Sequence, residues 1–259
     1  MKCIKTLDGD VAIVTGARRG IGRAIALSFA EAGAAVCVID AVTDDGKLYV
    51  VAEEIKKFGQ SSLALGVDIT HKAEVEDMVH KVIGELGKID ILVNCAGMWI
   101  PGQTIVECDE YNWDIVLNTN LKGTYLCCQA AAREMIKQKC GRIINIASDL
   151  ALYPLPAVGA YSVAKAGIIM LTQQLAIELG KYGIRVNAIA PGMVKTDMNT
   201  EMRSSPEVEE QLARKMVLGR LGVPTDISKT TLFLASDSSD QITGQTIVAN
   251  SGGIIPSLF

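Results

Sequence analysis

Short β-branched apolar runs alternate along the chain with longer segments whose apolar residues recur at helical spacing. Val11–Val14 is the first run, and Arg23–Ala30 follows with a helical pattern. Ala35–Ile39, Ser62–Val67, Ile89–Asn94, Ile143–Ala147, Arg185–Ile189 and Thr246–Ala249 read as further strands. Lys47–Phe58, His71–Leu86, Tyr161–Lys181 and Asp226–Leu234 read as helices. Thr70 is the expected N-cap of the helix from His71. Tyr111–Lys139 reads as one long helix kinked at Gly123. Runs as continuously apolar as Ile89–Asn94 suit parallel strands buried on both faces. Repeated βα units with right-handed crossovers predict a single α/β domain over residues 1–259. Its centre is a doubly wound parallel sheet of about seven strands, with helices on both faces. One stretch breaks the alternation. Lys195 to Leu221 is polar and Met-rich, long for a connection, and is expected to form a mobile lid that orders over substrate.

Ligands of such sheets bind beyond the carboxyl ends of the strands, and the chemistry-bearing residues gather there. Thr15-Gly16-Ala-Arg-Arg-Gly20-Ile-Gly22 joins the first strand to the first helix, the context a dinucleotide fingerprint requires. Gly16 permits the tight turn, Gly20 lets the backbone approach a pyrophosphate, and Gly22 lets helix and strand pack closely. Asp40 ends the second strand, where a carboxylate can hold a ribose 2′-hydroxyl. Tyr161 and Lys165 share a helix face, and Ser148 ends an apolar strand upstream. A phenol of pKa ~10 transfers protons poorly at neutral pH. A lysine about 4 Å away, at an effective dielectric of ~20, favours the phenolate by roughly 4 kcal/mol, enough to bring a tyrosine towards pH 7. Ser148 would hold the substrate oxygen.

Taken together, these motifs resemble the short-chain dehydrogenase/reductase family over nearly the whole length, and imply a Rossmann fold. Asp68, Asn94-Cys95-Ala96-Gly97, Asn120, Ser148, Tyr161, Lys165 and Pro191-Gly192-Met193-Val194-Lys195-Thr196 match its motifs in order. The resemblance implies catalytic roles for Asn120, Ser148, Tyr161 and Lys165, with Asn120 holding a water that relays the proton. It implies a cofactor site of Gly16, Arg19, Gly20, Ile21, Gly22, Asp40, Asp68, Ile69, Asn94, Ala96, Gly97, Tyr161, Lys165, Pro191, Gly192, Val194 and Thr196. Substrate contacts are expected from Ser148, Asp149, Trp99, Tyr153 and Met193. It also implies a homotetramer built on the helices around Tyr111–Lys139 and Tyr161–Lys181. Cys95, Ala164 and Ala249–Gly253 depart from the family pattern.

The cofactor expected is NAD rather than NADP. Arg18 and Arg19 could grip a 2′-phosphate, but Asp40 would face that phosphate at a cost of several kcal/mol. The activity expected is hydride transfer between a nicotinamide and a secondary alcohol (sugar, polyol, diol or similar) or its ketone. Two alternatives remain open: an NADPH-dependent reductase of 3-oxoacyl-carrier-protein thioesters, and a non-catalytic NAD-binding sensor or scaffold. A net charge of −4 offers no footprint for nucleic acid or an anionic membrane. Seven cysteines without CxxC spacing and only two histidines argue for reduced thiols and against a metal centre. No stretch is apolar and long enough to span a bilayer, and no leader pattern opens the chain, so a cytoplasmic location is expected.

Overall fold

The computed structural model describes residues 6–253, so part of the opening stretch read for a leader lies outside the described residues. Seven strands form one parallel sheet: β1 (Val11–Thr15), β2 (Ala35–Asp40), β3 (Ser62–Gly66), β4 (Ile91–Asn94), β5 (Gly141–Ile146), β6 (Ile184–Pro191) and β7 (Thr246–Ala249). Their order is β3-β2-β1-β4-β5-β6-β7, a doubly wound parallel sheet as the alternating pattern predicts. The order reverses between β1 and β4, whose pairing runs from Ala12↔Ile91 to Val14↔Val93. A crevice opens at the carboxyl end of that junction.

Among the described residues there are eight α-helices, most of them packed on the two faces of the sheet: α1 (Gly20–Glu31), α2 (Lys47–Lys56), α3 (Lys72–Leu86), α4 (Glu110–Leu117), α5 (Gly123–Gln138), α6 (Gly159–Leu179), α7 (Pro206–Arg214) and α8 (Pro224–Ala235). Successive strand residues point to opposite faces, and the two cores divide accordingly. Ala12, Val14, Val36 and Val38 pack with Phe29 of α1, Ile55 of α2 and Leu234 of α8. Val11, Ile13, Cys37 and Ile39 pack on the other side with Val79 of α3, Met135 of α5 and Leu179 of α6. Burial of both faces explains why the strands read as continuous apolar runs rather than alternating ones.

Two local expectations are corrected. The long helix over 111–139 is interrupted by a π-helical turn, Asn118–Lys122, just before Gly123. Such turns accommodate an extra residue and recur at functional sites, and here the turn carries Asn120. Gly123 serves packing instead of bending, since a Cβ there would meet Ile69 Cδ1 at 2.6 Å. Thr70 does not cap α3. His71 takes the N-cap position, while the Thr70 hydroxyl and N–H both donate to Asp68 Oδ1, at 2.8 and 2.9 Å.

The segment over 195–221 holds two 3₁₀ turns and α7, which buries no residue. It is tied at its root by the Lys195 N–H donating to the Gly222 carbonyl at 2.9 Å. Arg203 donates to the Thr196 carbonyl at 2.9 Å and pairs with Glu209 at 3.2 Å, and Glu209 also pairs with Lys195.

Candidate active site

A cleft of about 770 Å³ runs across the carboxyl ends of the strands, from Asp40 and Asp68 at one end to Tyr153 and the 195–221 segment at the other. This is the size of a well-formed ligand pocket. Every expected cofactor, catalytic and substrate residue lines it except Asn94.

The glycine loop is built as its motif requires. Gly16 and Gly20 have φ of +65° and +57°, the left-handed region that side chains disfavour. A Cβ on Gly16 would meet Ala96 Cα at 2.7 Å, so the loop rests directly on the turn after β4. A Cβ on Gly22 would fall 2.2 Å from the Gly16 carbonyl oxygen. Thr15 locks this contact, its hydroxyl accepting from the N–H groups of Cys95 and Ala96, each at 3.1 Å. No side chain caps α1, no acid lies in its first turn, and Gly20, Ile21 and Gly22 face the cleft. An uncapped helix N-terminus of this kind suits a pyrophosphate. The residues present therefore fit a dinucleotide.

At the far end of β2, Asp40 Oδ1 accepts from the Val42 N–H at 3.0 Å. Arg18 lies 3.6 Å from Asp40 and also pairs with Asp45. Arg19 reaches across the cleft mouth to Asp197 of the 195–221 segment, at 3.0 Å. Asp68 is partly buried, which works against its charge, yet the two Thr70 donors hold its carboxyl below the ordinary carboxylate range.

Asn94 is a correction. Its amide turns into the core, donating to Asn145 Oδ1 at 2.8 Å and to Cys128 Sγ at 3.1 Å. Asn145 in turn donates to the Thr172 hydroxyl at 2.9 Å. The network ties β4 to β5, α5 and α6, and so holds the sheet edge on which the site is built.

Ser148, Tyr161 and Lys165 converge at the inner end of the cleft. Lys165 is buried and donates from Nζ to the Ile146 carbonyl at 2.7 Å. Its ammonium lies 5.6 Å from the Tyr161 ring centre. The expected electrostatic activation of Tyr161 is not what this pocket produces by itself. Burial pushes the phenol up to about 12, and the charges of Asp149 and Cys95 add to that, against a lowering by Ser148. Burial likewise pushes Lys165 down to about 8. Removing both groups from water opposes charge on each, and the lysine's attention is divided with a backbone carbonyl.

This depressed lysine has a consequence for stability. Between pH 8 and about 10.4, the unfolded chain holds a proton on Lys165 that the folded chain has lost. Stability therefore rises with pH through that window. Relative to Lys165→Met, the wild type should gain roughly 2 kcal/mol between pH 7.5 and 9.5, read by urea denaturation. A constant difference would contradict the burial.

Asn120 is also used differently from expectation. Both amide hydrogens are spent, on the carbonyls of Met98 at 2.8 Å and Val116 at 2.9 Å, and Oδ1 accepts from the Met98 N–H at 3.3 Å. Its side chain therefore pins the turn after β4 against the π-helical turn and has no donor left for a water. Gly97 makes this possible, because a Cβ there would lie 2.6 Å from Asn120 Oδ1 and 3.5 Å from Lys165 Nζ.

The sequence reading leaves out the wall residues Pro154 and Val158, which belong to no motif.

The arrangement suits an oxidoreductase whose cleft takes a dinucleotide. A family model described as Enoyl-(Acyl carrier protein) reductase matches residues 16–253. The chain is 43% identical over 241 residues to the 3-oxoacyl-[acyl-carrier-protein] reductase FabG of Staphylococcus aureus, covering 93% of this chain and 96% of that one. It is 44% identical over 247 residues to the (2S)-[(R)-hydroxy(phenyl)methyl]succinyl-CoA dehydrogenase subunit BbsD of Thauera aromatica, covering 95% and 97%. A crystal structure of a putative short-chain alcohol dehydrogenase from Sinorhizobium meliloti superposes with a TM-score of 0.91 at 36% identity, covering 96% and 98%. The chain belongs to the short-chain dehydrogenase/reductase family, whose enzymes act on alcohols and ketones with nicotinamide cofactors.

Proposed function

We propose that the protein is an NAD-dependent dehydrogenase of a secondary alcohol, a sugar, polyol, diol or similar, or equally a reductase of its ketone, with Tyr161 as acid/base. The observation that carries this reading is the meeting of Ser148, Tyr161 and Lys165 at the inner end of a cleft whose outer end is a dinucleotide cradle. The nicotinamide, when bound, supplies the hydride acceptor or donor. Ser148 donates a hydrogen bond to the substrate oxygen, and Tyr161 takes the hydroxyl proton in the oxidative direction and returns it in the reductive one. Lys165, with donors to spare beyond Ile146, bonds the ribose hydroxyls and favours the phenolate as it forms. Gly16, Gly20, Ile21 and Gly22 would hold the pyrophosphate. Asp68 and Ile69 would take the adenine, and Pro191, Gly192, Val194 and Thr196 the carboxamide.

Asp40 and the state of the arginines support NAD. Arg18 is already shared by two carboxylates and Arg19 is paired with Asp197, so a 2′-phosphate would meet Asp40 without a free cation. Asp40→Ser should raise the NADP-to-NAD ratio of kcat/KM by about 10²–10³, the scale of several kcal/mol of relieved repulsion. A wild type that already prefers NADP would overturn the assignment.

A second reading draws on the likeness to FabG: a reductase of 3-oxoacyl thioesters using NADPH. The methionines that line the cleft, Met193, Met198, Met202 and Met216, would suit an acyl chain. Parallel assays of NAD reduction by secondary alcohols and NADPH oxidation by an acetoacetyl thioester separate the two.

The 195–221 segment acts in this reading as a lid. Because α7 buries nothing, its amides should exchange hydrogen faster than those of the sheet and slow when cofactor and substrate are added together. Exchange as slow as the sheet's in the free protein would exclude a lid. The reading also includes a homotetramer, to which the exposed Tyr125, Val163, Met170 and Ile177 of α5 and α6 would contribute contacts, and a cytosolic location, in keeping with the free thiols of the described cysteines.

A further inference from the structure

Asp149 is the unusual group of the inner cleft. It follows Ser148 directly, lines the cavity and is only partly exposed. No lysine, arginine or histidine among the described residues pairs with it. Its one side-chain partner outside its own turn is Asn250, whose Nδ2 donates to Oδ2 at 3.2 Å. Asn250 is itself fixed, accepting from the Gly252 N–H at 3.1 Å. Gly192 closes the third side, since a Cβ there would come within 3.0 Å of Asp149 Oδ2.

A carboxylate can accept about four hydrogen bonds, and withdrawing one from water is costly unless those sites are filled. Burial accordingly raises the Asp149 pKa, against lowering by Asn250, the Leu150 N–H and the Ser148 hydroxyl. Its charge is also felt at the Tyr161 hydroxyl. Asp149 therefore stands next to the two groups that would hold the reacting oxygen, and of the donors around it only Asn250 Nδ2 makes a well-formed hydrogen bond, at 3.2 Å.

The surroundings limit what can fill that capacity. The same cleft is lined by Trp99, Tyr153, Leu155, Val158, Met193 and Met202. Of the three cationic side chains of the cleft, Arg18 pairs with Asp40 and Asp45, Arg19 pairs with Asp197, and Lys165 donates to the Ile146 carbonyl with its remaining donors assigned to the cofactor ribose. A substrate carboxylate beside the carbinol would meet Asp149 and no counter-charge. A fully hydroxylated sugar would leave most of its hydroxyls against apolar side chains without partners.

We propose that Asp149 is a specificity-determining residue that accepts a hydrogen bond from a hydroxyl on the carbon next to the carbinol, so that the substrate is a neutral vicinal diol with an apolar substituent. The proposal rests on the alcohol-dehydrogenase reading and narrows it. Ser148 and Tyr161 hold the hydroxyl that is oxidised, Asp149 holds its neighbour, and the aromatic and methionine side chains cover the remainder.

The test compares 1-phenyl-1,2-ethanediol, 1-phenylethanol and mandelate as substrates for NAD reduction. A hydrogen bond to a charged acceptor should favour the diol over the mono-alcohol in kcat/KM by about 10–100-fold, with mandelate the poorest. Asp149→Ala should collapse the diol-to-mono-alcohol ratio towards one, and Asp149→Asn should raise mandelate relative to both alcohols. A wild type that uses the mono-alcohol as well as the diol, or favours mandelate, overturns the proposal. So does a diol preference that survives in Asp149→Ala. Calorimetric Kd values for the diol and the mono-alcohol on the NADH-loaded wild type read the same preference without turnover. Tighter binding of the diol with no oxidation of any compound would sink the dehydrogenase reading and leave the role of Asp149 standing, whereas equal binding of the two would overturn that role.

Discussion

Tyr161→Phe should lower turnover by about 10²–10⁴-fold, the usual contribution of a positioned proton-transfer group, while the protein still binds its nicotinamide cofactor. The substitution removes one oxygen and keeps the ring, which packs against the small cluster formed by Val116, Ala160 and Ala164. The glycine loop, Asp40 and Asp68 lie elsewhere along the cleft and are untouched. Steady-state NAD reduction and a fluorescence titration with NADH would read the two halves separately. Undiminished turnover would remove Tyr161 from the mechanism. Loss of cofactor binding in parallel would mean that the ring, and not the hydroxyl, is what matters.

Gly22→Ala should be almost as damaging by a different route. The new Cβ would lie 2.2 Å from the Gly16 carbonyl oxygen and 3.0 Å from Ala17 Cα. These are backbone atoms, so the loop itself must move. Overpacking of this kind costs about 1–3 kcal/mol, which in a chain of this size lowers Tm by roughly 2–4 °C per kcal/mol. The displaced loop also loses its rest on Ala96, so cofactor affinity should fall with stability. Gly84→Ala is the contrasting case. Gly84 lies within α3 with nothing near its Cβ position, and alanine there should stabilise by about 0.5–1 kcal/mol. Thermal melts with and without NADH distinguish the two. Equal, small shifts at both positions would contradict the packing of the glycine loop.

Much of this architecture is legible in the sequence because burial on both faces of a parallel sheet leaves a strong trace. Val11–Thr15, Ala35–Asp40 and Ile91–Asn94 read as strands with boundaries nearly where the apolar runs place them. The site residues follow, since Gly16, Asp40, Asp68 and Ser148 occupy strand ends. What the sequence hides is the partner each polar group chooses. Asn94 and Asn120 stand in motifs that suggest contact with ligand or water, but their amides are consumed by Asn145 and Cys128 in one case and by Met98 and Val116 in the other. Thr70 has the composition of a cap, yet α3 begins one residue later with His71 at the N-cap, and the Thr70 hydroxyl donates to Asp68. The π-helical turn is hard to read from periodicity because α4 before it has only eight residues, too few to fix a phase against which a shift of about 100° would stand out. The charge states of Tyr161 and Lys165 are hidden for a related reason. Spacing on a helix gives proximity, whereas the charge each group carries depends on how completely water is excluded from it.

The pairing of Arg19 with Asp197 belongs to the same category. The two residues are far apart in sequence and meet only because the glycine loop and the 195–221 segment face each other across the cleft mouth. Asp149 is the most consequential example. Nothing in the sequence separates a solvated loop acid from one enclosed by Ser148, Gly192 and Asn250, and the proposed choice of substrate turns on that difference.

The account rests on direct hydride transfer from a secondary carbinol carbon to a nicotinamide. It is tested most directly by mass spectrometry of the reduced cofactor formed from carbinol-deuterated 1-phenyl-1,2-ethanediol and 1-phenylethanol. The expected product is NADH carrying one deuterium, formed by the wild type and greatly diminished in Tyr161→Phe. Reduced cofactor without the label, or formed at equal rates by the two proteins, would contradict it.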